Sequence, residues 1–71
     1  MPLVQLKVFE LELTQDQTDQ IIQGFTDVIA DATHEKLRDV TWVIVNEVKD
    51  CHWGVGGKSI KLEDVKRLCV D

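Results

Sequence analysis

The 71 residues are 44% hydrophobic and carry eight Lys and Arg against thirteen Asp and Glu, a net charge of −5. That hydrophobic content is too high for a disordered chain, and an acidic balance without a basic block argues against nucleic acid as a partner. A single domain over 1–71 buries only about 60% of its unfolded surface and needs further support. With just Cys51 and Cys69, a disulfide framework is excluded and self-association is expected.

No apolar run approaches the roughly 20 residues of a membrane span, and no charged-then-apolar leader opens the chain. The expected setting is a reducing cytoplasm. Pro2 is the only proline and directly follows the initiator methionine. A small second residue normally lets that methionine be clipped, which leaves proline as a free secondary amine. An ordinary terminal amine titrates at roughly 8, and desolvation lowers the value. Such a group can act as a general base, or as a general acid where its pKa is held high. The competing reading is structural: proline tolerates the start of a first or edge strand, where its missing N–H costs nothing.

From Leu3 to Glu10 apolar residues alternate, with Val4, Leu6 and Val8 on one face and Gln5 and Lys7 on the other, which predicts a strand. Thr14 and Gln17 form a capping box for a helix over 15–33. Ile21, Ile22, Phe25, Val28, Ile29 and Ala32 make its apolar stripe. Gly24 weakens such a helix, and a close helix–sheet contact would account for it. A polar connection over 34–39 leads to Val40–Val48, β-branched and apolar on both faces, as in a strand covered on both sides. Strand, crossover helix and strand predict a right-handed βαβ unit with parallel strands. One helix covers one face only, so Trp42 and Ile44 leave an apolar patch that signals association.

Gly54, Gly56 and Gly57 predict a hairpin, and no Walker lysine–serine/threonine pair follows to make a phosphate loop. Leu62, Val65, Leu68 and Cys69 predict a short C-terminal helix. The fold class is thus α+β: a β-α-β protomer with parallel strands, crossover helix, glycine hairpin and short helix. The two cysteines read as small hydrophobes, and they form no metal-ligand spacing with the two histidines.

The Pro-Leu-Val-Gln-Leu opening, the Asp-Gln-x-x-x-x-Ile helix start, the Asn46-Glu47 strand end and the His52-Trp53-Gly54-Val55-Gly56-Gly57 turn resemble the short-chain 4-oxalocrotonate tautomerase family over residues 2–57. The resemblance implies the tautomerase fold, assembled as a homohexamer or trimer, with no cofactor, no metal and Pro2 as catalytic base in an apolar pocket at a subunit boundary. It places Trp53 as an apolar wall beside the proline and Phe9 as a residue whose backbone faces a small-molecule substrate. The family's two carboxylate-binding arginines fall on Glu12 and Trp42, and neither can hold a carboxylate bidentately. Trp42 belongs either to the core or interface, or to the pocket.

The leading expectation is a keto–enol tautomerase acting on a small unsaturated or aryl 2-keto/enol acid rather than a diacid. A second keeps Pro2 protonated as a general acid while Glu12 or Glu47 activates water, as in hydratases and dehalogenases of the superfamily. A third is a non-catalytic oligomeric module whose Pro2 is vestigial or still blocked by Met1. His52 is either a proton shuttle or a solvated turn residue.

Overall fold

A computed structural model describes residues 1–69. The elements run β1 (Leu3–Phe9), α1 (Gln15–Ala32), a 3₁₀ helix (Glu35–Val40), β2 (Trp42–Val48), β3 (Trp53–Val55), β4 (Lys58–Ile60) and α2 (Leu62–Leu68). β1 and β2 pair in parallel from Leu3↔Trp42 to Phe9↔Val48, and β3 and β4 pair antiparallel. The β-α-β unit, hairpin and short helix expected from the pattern are all present.

Alternation sorts the side chains of the parallel pair onto two faces. Val4, Leu6 and Val8, with Val43, Val45 and Glu47 beside them, turn toward α1. Leu3, Gln5, Lys7 and Phe9, with Trp42, Ile44, Asn46 and Val48, turn away. Among the described residues the buried core is small: Val8, Phe9 and Ala30. β2 is therefore not covered on both faces within one protomer, because the single crossover helix reaches only one of them.

α1 starts where its sequence says it should. The Thr14 side chain accepts from the Gln17 N–H at 3.1 Å, and the Gln17 side chain accepts from the Thr14 N–H at 2.9 Å, satisfying two of the donors that a helix start leaves orphaned. β2 begins two residues later than the pattern suggested. The imidazole Nδ1 of His34 caps the 3₁₀ helix by accepting from the Lys36 N–H at 3.0 Å, and Thr41 closes it with a hydroxyl bond to the Leu37 carbonyl at 2.7 Å. That capped turn holds Val40 out of the strand.

β1 stops at Phe9 rather than Glu10, although the Glu10 N–H still donates to the Val48 carbonyl at 2.8 Å. In the hairpin, Gly56 and Gly57 lie at φ 59° and 84°, the left-handed pair that a two-residue turn between antiparallel strands requires. Gly24 departs from the expectation. A Cβ built on it meets no heavy atom within 4 Å, so no helix–sheet contact demands it. Among the described residues no helix is long and apolar enough to cross a membrane.

Candidate active site

The first half of the site forms where the parallel pair begins. The Trp42 N–H donates to the Pro2 carbonyl at 2.9 Å, which extends the ladder one step and holds Pro2 beside the indole. Met1, Pro2, Leu3 and Trp42 line an apolar recess of about 200 Å³. Pro2 itself is half-buried, while Trp42 remains 56% exposed and Leu3 52% exposed. Met1 is part of the lining, so its removal both frees the proline nitrogen and opens the recess.

The second half forms where the pair ends. Trp53, the first residue of β3, stacks on Phe9 with ring centroids 5.0 Å apart and planes inclined by 25°. Phe9 is only 3% exposed as a result. Just past it the chain reverses through Leu11 at φ 67°, a left-handed conformation that costs a non-glycine residue of order 1–2 kcal/mol. The Glu12 carboxylate folds back and accepts from the Phe9 N–H at 3.0 Å, and the Glu12 N–H donates to the Phe9 carbonyl at 3.0 Å. Glu47 accepts from the Leu11 N–H at 3.4 Å. These bonds offset the strain by satisfying the donors the reversal leaves behind.

Pro2 and Trp42 are thus brought together, and so are Trp53, Phe9 and Glu12, but the two groups lie at opposite ends of β1. At about 3.3 Å per residue, the six steps from Leu3 to Phe9 span roughly 20 Å. Trp53 does not wall in Pro2 of its own protomer. His52 is exposed, and its backbone N–H donates to the Lys49 carbonyl at 3.0 Å, closing the turn in which Cys51 takes φ 66°.

The cations divide in the same way. Arg38 donates to Asp27 of α1 and, at 2.7 Å, to Glu35 of the 3₁₀ helix. Its hydrogen bond is the main cause holding the Asp27 carboxyl below its ordinary range, with Gln23 assisting, and it does the same for Glu35. The two carboxylates in turn raise the guanidinium pKa, Glu35 contributing most. Arg38 is therefore committed within its own chain. Lys7 is exposed on the open sheet face and makes no salt bridge among the described residues.

Sequence reasoning missed the Arg38 clamp, the Glu12–Phe9 bond and the burial of Phe9. A weak signal existed for the last. An aromatic that falls in phase with Gln5 and Lys7, on the face no helix covers, needs a cover from elsewhere, and Trp53 was the available partner. Among the described residues no cluster of three or more His, Cys, Asp or Glu side chains is placed to hold a metal ion.

Residues 2–63 match the family model described as tautomerase enzyme. The chain belongs to the tautomerase family. It is 37% identical over 60 residues to the probable tautomerase K2 of Dickeya dadantii strain 3937, covering 84% of this chain and 88% of that one. The fold is similar to the crystal structure of DmpI from Helicobacter pylori, with a TM-score of 0.72 and 28% identity over 83% of this chain and 95% of that one. The match to the tautomerase family takes in Pro2, β1, α1, β2 and the hairpin but stops just inside α2, so the last helix lies mostly beyond it. The chain is a tautomerase-type enzyme.

Proposed function

We propose that this tautomerase uses Pro2, exposed by loss of Met1, as the general base of a cofactor-independent keto–enol tautomerisation. The observation that carries the reading is the position of Pro2 in an apolar recess against Trp42, in a chain of this family. The neutral amine takes a proton from an enol hydroxyl or an acidic carbon and returns it elsewhere on the conjugated system, so no atom is gained or lost. The recess favours the neutral amine by desolvating its charged form.

One protomer holds only half of this site. A homohexamer, or at minimum a trimer, sets the Phe9–Trp53 end of one protomer over the Pro2–Trp42 end of another and closes the recess. The exposure of Leu3 and Trp42, both large and apolar, supports that arrangement. The water-activating alternative has less support, because Glu12 and Glu47 each accept from a backbone N–H at the strand exit instead of projecting free.

The substrate is a small monoacid, unsaturated or aryl, rather than a diacid. A bidentate arginine–carboxylate bond contributes on the order of 1.5–3 kcal/mol. Two missing partners then cost a diacid about 3–6 kcal/mol, roughly two to four powers of ten in kcat/KM. Arg38 does not fill the gap, being held by Asp27 and Glu35. The test is a pH-titrated assay on protein whose intact mass shows Met1 removed, comparing phenylenolpyruvate with a hydroxymuconate-type diacid. The expected result is turnover of the monoacid and weak turnover of the diacid. A clear diacid preference would overturn the substrate assignment, and no turnover of either by the processed protein would overturn the Pro2 chemistry.

A further inference from the structure

Proton transfer by Pro2 needs no cation, but holding an acid substrate does, and the exit of β1 is anionic. Glu12 and Glu47 both place carboxylates there, on the Phe9 and Leu11 N–H groups. A substrate carboxylate brought to the Phe9–Trp53 end meets like charge unless a cation stands beside it. The arginines are committed: Arg38 is held by Asp27 and Glu35, and Arg67 by Glu63 and Asp64. Lys49 shares its recess with Glu10 and Asp50.

The hairpin supplies the exception. Its register sets Trp53 opposite Ile60 and Val55 opposite Lys58, so all four side chains rise from one face of the ribbon. The half of that face nearest β2 is used: Trp53 lies on Phe9, and Trp53 and Ile60 are half-buried. The half nearest the Gly56–Gly57 turn is left open. There, about 7 Å further along the strand, Val55 is 58% exposed and Lys58 is exposed. Lys58 makes no salt bridge among the described residues. Diagonal neighbours across an antiparallel pair lie roughly 7–8 Å apart, so the flexible four-carbon stem of Lys58 can bring its ammonium to the edge of the Trp53 ring.

We propose that Lys58 binds the carboxylate of the acid substrate, with Val55 resting on the apolar remainder. The assignment rests on the reading that the Phe9–Trp53 end of one protomer closes the Pro2 recess of another. The hairpin tip matches a monoacid in kind: one cation beside one apolar group, on the face that carries Trp53. An ammonium serves a single carboxylate as a point charge, without the bidentate fork of an arginine. A second carboxylate on the substrate would face Glu12 or Glu47 instead, which adds repulsion to the lack of a partner. Lys7 is the control. It stands on β1 two residues before Phe9, with Asn46 beside it in the register, and is not on the Trp53 face of the hairpin.

Steady-state kinetics on protein freed of Met1 test the assignment, with phenylenolpyruvate and its uncharged methyl ester as paired substrates. Lys58→Gln should raise KM for the acid roughly tenfold to a hundredfold, the range of one charge-assisted bond, and leave kcat and the ester nearly unchanged. Lys58→Arg keeps the charge and should restore most of the loss. Added salt should raise the acid KM of the wild type but not that of Lys58→Gln. Lys7→Gln should behave as wild type. An unchanged acid KM in Lys58→Gln, an equal loss for acid and ester, or a shift produced by Lys7→Gln alone each overturns the role of Lys58, while turnover by the wild type leaves the Pro2 chemistry standing. A processed wild type inactive on both substrates would instead bring down the Pro2 reading and this assignment with it.

Discussion

Trp53 lies on Phe9 at one end of the parallel strand pair and leaves it 3% exposed, while Trp42, at the other end, stays 56% exposed beside Pro2. Both residues open a strand, and both sit next to an apolar residue of β1 or its approach. At the Phe9 end the chain turns back on itself twice, through Leu11 and Cys51, and supplies its own cover from the hairpin. At the Pro2 end no segment among the described residues covers Leu3 and Trp42, which stay exposed. The difference teaches which part of the molecule is finished by intrachain folding and which part is left open. The proposed chemistry lies at the open end.

The largest effect expected from breaking this contrast is at Pro2. Pro2→Ala leaves a primary amine of different basicity and flexibility in the same recess. General-base catalysis by a positioned group contributes about 10²–10⁴-fold, so monoacid turnover should fall within that range. The thermal midpoint should hardly move, because Pro2 contributes its carbonyl to the ladder and not its ring. Full activity in the variant, confirmed free of Met1 by mass, would move the base elsewhere, with His52 the next residue to substitute.

The two tryptophans sharpen the contrast next. Trp53→Ala removes the cover of Phe9 and should cost about 2–3 kcal/mol of stability, less than the 3–5 of a fully buried aromatic because Trp53 is only half-buried. Trp42→Ala should cost the isolated protomer little and weaken assembly instead. Denaturation at two protein concentrations separates the cases. The Trp53 loss is insensitive to concentration, and the Trp42 loss grows on dilution. Equal behaviour of the two variants would mean that the ends are not differently finished.

How much of this was legible in the sequence depends on how local each cause is. The Thr14–Gln17 box, the alternation of β1 and the Gly56–Gly57 turn are set by neighbours within a few residues, and their elements appear where expected. Phe9 was not legible as core, since alternation groups it with Gln5 and Lys7 and its cover comes from far along the chain. Leu11 and Cys51 carry no signature of a left-handed conformation, which is imposed by bonds such as Glu12 to Phe9. Gly24 stood out as anomalous, and no contact within the protomer accounts for it. The same holds for the proposed site: Pro2 stands out by its position, while its placement at the opposite end of β1 from Trp53 follows only from the register and the stacking on Phe9.

The smallest expected effect concerns the clamp that fixes the connection leading into the Pro2 end. Arg38 joins Asp27 of α1 to Glu35 of the 3₁₀ helix, and β2 starts two residues after that helix ends. Its hydrogen bonds lower the pKa of both carboxyls in the folded state. A group whose folded pKa is depressed contributes stability above its unfolded pKa and loses it as pH falls through the folded one. Wild type should therefore exceed Arg38→Gln in stability near neutrality, and the gap should close as pH drops below the ordinary carboxylate range. The gap is modest, because the Asp27 and Glu35 side chains are 48% and 69% exposed and salt screens such pairs. Denaturant titrations of both proteins at low salt, near neutral and in mild acid, give the comparison. A gap that stays constant with pH would assign the role of Arg38 to packing of its aliphatic stem rather than to its charge.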